Sequence, residues 1–153
     1  MEWIKALRGK VVGLDTTPVI YFIEERAPFL DVVEPFFEAM DRGEFSVVTS
    51  TVTLLEVLVH PLRRRDTRLA RQYREILLGA KGLTIIPLSP EIAQEAARQR
   101  AERNLRTPDA IQIATAIKAG AAAFVTNDSR LSPTPGLPVL LLDELIGRRK
   151  PTK

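Results

Sequence analysis

V-V-G-L-D-T-T-P at residues 11–18 sets out the local plan of the fold in eight residues. Its first four residues form a compact apolar run, which is typical of a strand buried in a parallel sheet. Thr17 and Pro18 then predict a helix start, with threonine as the N-cap and proline at the first helical position. Asp15 is therefore expected at the carboxyl end of a strand, just before a helix.

The same alternation continues along the chain. Strands are predicted at 11–14, 45–49, 83–87, 122–126 and 137–141. Helices are predicted at about 17–25, 29–41, 51–60, 66–78, 91–103 and 107–119, with a short last helix from Asp143. This order predicts an α/β fold in three layers, α/β/α, around a central, mostly parallel sheet of about five strands. We expect a single domain over residues 1–153, with residues 1–10 as an N-terminal extension and 148–153 as a basic tail.

Three prolines mark expected ends or bends of helices. Pro28 should break the helix that begins at Thr17, and Pro35 should kink or divide the next one. Pro61 should close the helix over 51–60, which would leave His60 as a residue at a helix end.

The composition of the chain excludes several kinds of catalytic and metal-binding site. The 153 residues are 45% hydrophobic, carry a formal charge of +3, and include one histidine and no cysteine. A disulfide framework, a thiol nucleophile and a cysteine or histidine-rich metal site are excluded. The cations that remain plausible are oxygen-liganded ones such as Mg²⁺ or Mn²⁺. No apolar stretch approaches the length of a membrane span, and the early acid Glu2 argues against a secretory signal. We therefore expect a cytoplasmic protein.

Three further acids stand at comparable places. Glu56 lies in T-V-T-L-L-E-V-L-V (51–59), Asp109 in R-T-P-D-A-I-Q-I-A-T-A (106–116) and Asp128 in A-F-V-T-N-D-S-R-L (123–131). Each acid also has a purely structural interpretation, as a helix cap, a partner of the helix dipole or a turn residue. Ligands of open α/β sheets bind beyond the carboxyl ends of the strands. Carboxylates gathered there would repel by about 4 kcal/mol per pair at 4 Å. A divalent cation would convert that repulsion into affinity.

These segments resemble the PIN domain family, which includes the VapC-type toxins of bacterial and archaeal toxin–antitoxin pairs. The four matching segments appear in the order typical of the family and span residues 11–131. The resemblance implies a metal-dependent endoribonuclease in which Asp15, Glu56, Asp109 and Asp128 bind Mg²⁺ or Mn²⁺. It also implies hydrolysis of RNA phosphodiesters by metal-activated water, with Thr16 and Thr126 orienting ligands or water. A homodimer and a small antitoxin partner are further implications.

Arginines near the acids are candidates for RNA binding. We single out Arg106, three residues before Asp109, and the run Arg63, Arg64 and Arg65. A solvated helical face is an equally good interpretation of such runs. RNA binding through them should weaken steeply with salt.

Three alternatives stay open at this point. The chain could be a non-catalytic PIN-like module that binds RNA or protein, or a structural homodimer whose acids merely cap helices. It could also be an aspartyl-phosphate phosphatase of the haloacid dehalogenase type. Such a phosphatase would need a second aspartate two residues after Asp15, where this chain has Thr17.

Overall fold

The computed structural model describes residues 1–149, with the backbone alone for residues 148 and 149. It has five strands: β1 (Val11–Leu14), β2 (Ser46–Ser50), β3 (Leu83–Ile86), β4 (Ala123–Thr126) and β5 (Val139–Leu141). Its α-helices are α1 (Glu2–Lys5), α2 (Thr16–Ile23), α3 (Leu30–Asp41), α4 (Thr51–Arg64), α5 (Thr67–Gly79), α6 (Pro90–Arg103), α7 (Thr107–Lys118) and α8 (Leu142–Arg149), and a 3₁₀ turn spans Ser129–Leu131.

All five strands form one parallel sheet in the order β3-β2-β1-β4-β5. The fold class predicted from the sequence is confirmed. The chain moves outward from β1 through β2 to β3 and then returns to the other side of β1. A crevice at the carboxyl ends of β1 and β4, where the direction of winding changes, is where such sheets bind ligands.

Successive side chains along each strand point to opposite faces of the sheet, where they pack against helices. Val12 and Leu14 of β1 belong to a large core shared with α3, α5 and α8, whereas Phe124 of β4 belongs to a smaller core under α6 and α7. Gly13 faces the second layer, where a Cβ would lie 2.7 Å from the Cβ of Ala116. α7 therefore approaches β1 closely enough to bring its N-terminal residues to the crevice.

Several predicted element ends are wrong. Asp15, not Thr17, is the N-cap of α2, and its carboxylate accepts a hydrogen bond from the Thr16 amide at 2.8 Å. α3 runs through Pro35 without division, since the apolar side chains around the proline pack into the core. α4 likewise continues past Pro61 to Arg64, so that His60 lies inside the helix.

The structure describes the whole of the predicted N-terminal extension but only part of the predicted basic tail. α1 belongs to the N-terminal extension, and it joins the core through buried Ile4 and through Trp3, whose ring stacks on Phe36 with a centroid separation of 5.9 Å. The predicted basic tail begins inside α8, which extends to residue 149, and its remainder at 150–153 lies outside the described residues. Among the described residues, no helix is both long and apolar enough to cross a membrane.

Candidate active site

Asp15 lies at the centre of the crevice, because β1 is the middle strand and ends one residue before it. The residue is only 8% exposed. Its Oδ2 accepts a hydrogen bond from Thr126 Oγ1 at 2.7 Å, and its Oδ1 accepts one from the Thr16 amide at 2.8 Å. Burial, with a smaller contribution from the charges of Asp109 and Glu56, raises the pKa of the carboxyl group to about 6 despite these two donors. A buried carboxylate with an elevated pKa is a marker of a functional site.

Glu56 reaches the same crevice from the second turn of α4. It is partly buried, and its Oε1 accepts a hydrogen bond from Thr16 Oγ1 at 2.6 Å. Thr53 lies one turn earlier on the same face of the helix, as residues three apart do. The face of α4 that carries Glu56 is therefore turned toward the end of β1.

Gln112 on α7 links these groups, although the sequence did not single it out as a site residue. It is 3% exposed, and its Nε2 donates to Thr53 Oγ1 at 2.7 Å and to Thr16 Oγ1 at 3.1 Å. Its Oε1 accepts from Ser50 Oγ at 2.7 Å, which fixes the orientation of the amide. The position of Gln112, one turn after Asp109 on the same helix face, is the sequence signal that indicates this role.

The hydroxyl groups beneath the site have a definite direction of donation. Thr49 Oγ1 donates to the Leu14 carbonyl oxygen at 2.7 Å, so the 2.7 Å contact between Thr49 and Thr53 is donated by Thr53. Thr53 can then accept from Gln112, and Thr16 can accept from Gln112 while donating to Glu56. Buried polar networks that are fully satisfied in this way hold their members rigidly.

Asp109 stands in the first turn of α7, as predicted. Its Oδ2 lies 3.1 Å from Arg106 Nε and 3.9 Å from Arg130 Nη2. Arg106 is thus close to the acids as expected, but in this structure it is paired with one of them.

Asp128 follows β4 and caps the 3₁₀ turn. Its Oδ1 accepts from the Arg130 backbone amide at 3.0 Å and from Arg130 Nε at 3.0 Å, and its Oδ2 lies 2.6 Å from Arg130 Nη2. The hydrogen bonds from the Arg130 side chain hold the pKa of this carboxyl group below its usual value. Arg130 was not among the residues predicted from the sequence, since a pairing across two residues of a turn leaves no periodic signal.

The four acids share one region without forming a closed cluster. The charges of Asp109 and Glu56 both act on Asp15, and Arg130 connects Asp109 to Asp128. Within residues 1–149, no three carboxylate or imidazole side chains lie close enough together to enclose a cation as they stand. The physical reason is that like charges repel, whereas arginines draw Asp109 and Asp128 aside and a threonine holds Glu56.

The donor set nevertheless suits Mg²⁺ or Mn²⁺. All the available ligands are oxygens, which these hard cations prefer. Among the side chains that the structure describes, no lysine or arginine pairs with Asp15 or Glu56. Among the described residues, the two acids at the centre of the crevice thus have hydrogen-bond donors but no ion pair with a basic side chain.

The arginine run at the end of α4 is separate from this centre. Arg63, Arg64 and Arg65 are exposed, and they lie about 10–14 Å along the helix axis from Glu56 at 1.5 Å per residue. The charge of Arg64 contributes to lowering the pKa of Glu24. Their expected contact with RNA stays a prediction.

A second concave surface lies apart from the acids. A groove of about 680 Å³ runs between α2, α3 and α5, and none of the four acids lines it. Its floor includes Phe22, Phe37 and Ile76, and its rim includes Glu38 and Glu75.

Sequence comparison assigns the family. The family profile of the PIN domain matches residues 12–137, and the chain belongs to the PIN domain family. No curated protein matches the sequence significantly.

Solved structures with the same fold include proteins of toxin–antitoxin systems. VapBC2 from Rickettsia felis, bound to a DNA fragment from its promoter, aligns with a TM-score of 0.70 and 19% identity over 86% of this chain and 98% of that chain. A toxin–antitoxin complex from Klebsiella pneumoniae aligns with a TM-score of 0.65 and 23% identity over 86% and 97% of the two chains. VapC20 of Mycobacterium tuberculosis, described as a sarcin–ricin loop cleaving toxin, aligns with a TM-score of 0.61 and 17% identity over 78% and 90%. At these identities, the likeness shows the fold.

Proposed function

We propose that this protein is a metal-dependent endoribonuclease and the toxin of a type II toxin–antitoxin pair. The observation that carries the proposal is the crevice beyond β1 and β4, where Asp15, Glu56, Asp109 and Asp128 share one region although they come from four segments of the chain. Membership in the PIN domain family and the named functions of the structural neighbours support the same activity. The phosphatase alternative gains no support from either. We place the activity in the cytoplasm, where RNA is available.

The protein's own residues prepare the site in three ways. Asp15 and Glu56 would hold a divalent cation, with Asp109 and Asp128 as further ligands, and Thr126 and Thr16 orient the two central carboxylates by donating to them. Gln112 ties Thr16 on α2 to Thr53 on α4, so the two central acids keep a fixed relation. A bound cation would supply neutralisation of phosphate charge and a lowered pKa of water.

Hydrolysis by water is the chemistry that this chain can support. A serine or cysteine nucleophile activated by histidine is not available, because the chain has no cysteine and its single histidine is His60 on the exposed side of α4. Attack of water in line with the leaving 3′ oxygen would leave a 5′-phosphate and a 3′-hydroxyl. Arg106 would contact the phosphate backbone, with Arg63, Arg64 and Arg65 further along the RNA.

Cleavage of RNA by metal-ligand variants tests the proposal. Asp15→Asn and Asp109→Asn should each reduce Mn²⁺-dependent cleavage to the background seen with EDTA, with an unchanged circular dichroism spectrum. Glu91→Gln is a matched control, because Glu91 is an exposed acid in the first turn of α6, as Asp109 is in the first turn of α7. Cleavage by Asp15→Asn at the parent rate would show the assignment to be wrong.

A non-catalytic PIN-like module that binds RNA or protein is the second candidate function. The observation that favours it is that Asp109 and Asp128 are already paired with Arg106 and Arg130. The cleavage assay separates the two functions, because a binding module would show no metal-dependent cleavage by the parent protein.

Two protein partners belong to the proposal. One is a small antitoxin, which we infer because several structural neighbours are described as VapBC or toxin–antitoxin complexes. The groove between α2, α3 and α5, with its apolar floor and acidic rim, would suit a basic amphipathic helix of such a partner. The other is a second copy of this chain, forming a homodimer through α4.

A further inference from the structure

Arg130 occupies the space between two of the candidate metal ligands. Its Nε and Nη2 lie 3.0 Å and 2.6 Å from the two carboxylate oxygens of Asp128, and Nη2 is also 3.9 Å from Asp109 Oδ2. One guanidinium group therefore spans carboxylates from two separate segments of the chain, one in α7 and one in the turn after β4.

This arrangement competes with a cation at the same carboxylates. Both oxygens of Asp128 are directed toward Arg130 by hydrogen bonds, and Asp109 Oδ2 is shared by Arg106 and Arg130. A divalent cation bound to the same oxygens would lie a few ångströms from the guanidinium, and the two positive charges would repel. A bound cation would therefore weaken the guanidinium's contacts with these oxygens, and the guanidinium would weaken the binding of the cation.

Arg130 lies at the surface, so water can solvate its guanidinium when it leaves. Its side chain is 62% exposed, and solvent screens its pairs with Asp128 and Asp109, whose side chains are 25% and 14% exposed. The 3₁₀ turn does not depend on the side chain, since the bond from the Arg130 backbone amide to Asp128 would remain. A displaced guanidinium would stay tethered beside the acids, and its planar fork matches the oxygens of a phosphate group.

We propose that Arg130 alternates between two partners: the Asp109 and Asp128 carboxylates in the metal-free protein, and a phosphate of bound RNA once a divalent cation has taken those carboxylates. This inference rests on the proposed nuclease function and adds a residue that couples metal binding to substrate binding. Arg130 would limit adventitious cation binding and would then become a substrate-binding residue.

Calorimetric titration with Mn²⁺ in the absence of RNA tests whether Arg130 competes with the cation for the Asp109 and Asp128 carboxylates. Arg130→Ala should bind Mn²⁺ about fivefold more tightly than the parent protein, the size expected for releasing one exposed ion pair. Arg98→Ala is the matched control, because Arg98 is an exposed arginine paired with two acids, Glu95 and Glu102, on α6. The control should bind Mn²⁺ as the parent does.

Arg130→Lys distinguishes the effect of the forked guanidinium geometry from the effect of the positive charge. Lysine keeps the positive charge but cannot bridge both oxygens of Asp128 in a fork. The proposal expects its Mn²⁺ affinity to lie nearer that of Arg130→Ala than that of the parent. A lysine variant that matches the parent while the alanine variant binds more tightly would indicate a general field effect and would overturn the proposal.

The rate of RNA cleavage at saturating Mn²⁺ tests whether Arg130 then binds a phosphate of the RNA. Arg130→Ala should cleave RNA about tenfold more slowly or worse, since a charge-assisted hydrogen bond to phosphate is lost. Tighter metal binding combined with slower cleavage is a pair of opposite changes that a loss of folding would not produce. Unchanged Mn²⁺ affinity, or an unchanged rate at saturation, would overturn the role of Arg130 and leave the proposed nuclease intact. A parent protein that binds no Mn²⁺ would instead remove both.

Discussion

Asp15 bears its negative charge where water scarcely reaches and where its neighbours donate hydrogen bonds without adding a positive charge. The hydroxyl of Thr126 and the amide of Thr16 stabilise the ionised form, yet burial outweighs them and the pKa rises from 3.8 to about 6. Natural proteins commonly sacrifice stability at functional sites. Asp15 fits that pattern, because burial makes its negative charge unfavourable unless a cation binds beside it or a proton neutralises it.

The linkage between this carboxyl group and folding gives a prediction with a definite sign. Since its pKa is higher in the folded protein, Asp15 favours folding below about pH 4 and ceases to do so as the pH rises through about 6. Asp15→Asn should therefore stabilise the metal-free protein at pH 7.5, by up to about 3 kcal/mol, and have little effect at pH 4. Thermal denaturation in EDTA across this pH range measures the difference.

Thermal denaturation of the same two proteins in the presence of Mn²⁺ provides the control. The parent protein should gain stability from the cation through mass action, whereas Asp15→Asn should gain little. A stability difference between the two proteins in EDTA that does not change with pH would contradict the account of Asp15.

At this scale, the sequence predicted which acids would lie near one another but not what each would contact. Asp15 was expected at the end of β1 because a short apolar run precedes it, and that placement is confirmed. Capping of α2 by Asp15 was one interpretation of this residue, but Thr17 was predicted as the N-cap because it offered an equally good local cap. The pairing of Arg130 with Asp128 and Asp109 could not be inferred, since it depends on where β4 ends relative to α7.

Among the elements, α7 lies close against β1, and this contact positions the crevice. A Cβ on Gly13 would lie 2.7 Å from the Cβ of Ala116 and 2.9 Å from Cδ1 of Phe124. Only a residue without a side chain allows the helix to lie this near the strand. Gln112, on the same helix, can then reach the hydroxyls at the ends of β1 and β2.

Gly13→Ala should destabilise the protein by about 1–3 kcal/mol, the usual effect of overpacking a tight core. Gly79→Ala is the matched control, because Gly79 ends α5 and its added Cβ would meet open space. That variant should be neutral or slightly more stable, given the higher helix propensity of alanine. Urea denaturation of both variants measures the effects, and equal stabilities would show that α7 and β1 can separate without cost.

Element type followed from periodicity, whereas element ends did not. Pro35 and Pro61 were expected to interrupt helices, yet α3 and α4 continue through them. In each case the helix is held by tertiary packing, through Phe36 and Phe37 in α3 and through Val57 in α4. Such burial outweighs a local preference, and the local sequence does not reveal how much surface a neighbouring layer will cover.

For the whole molecule, the exposed side of α4 is the feature that its own fold leaves unexplained. Val52, Leu55, Val59 and Leu62 follow one another at helical spacing and contribute to neither core of the described chain. Leu55 is 64% exposed and Leu62 is 61% exposed. This stripe has the spacing with which helices pack against each other, and it adjoins Glu56. This stripe is where we expect a second copy to pack α4 against α4.

Leu62→Glu should therefore convert a homodimer into a monomer, because it places a charge in the centre of an apolar contact. Sedimentation equilibrium should give twice the chain mass of 17.1 kDa for the parent and the chain mass itself for the variant. Leu78→Glu is the control, since Leu78 is 63% exposed on α5 and lies outside the stripe. It should leave the dimer intact. A parent protein that sediments as a monomer, or a control that dissociates as readily as Leu62→Glu, would show that the stripe is not where two copies meet. The crevice of each chain would then have to bind RNA alone.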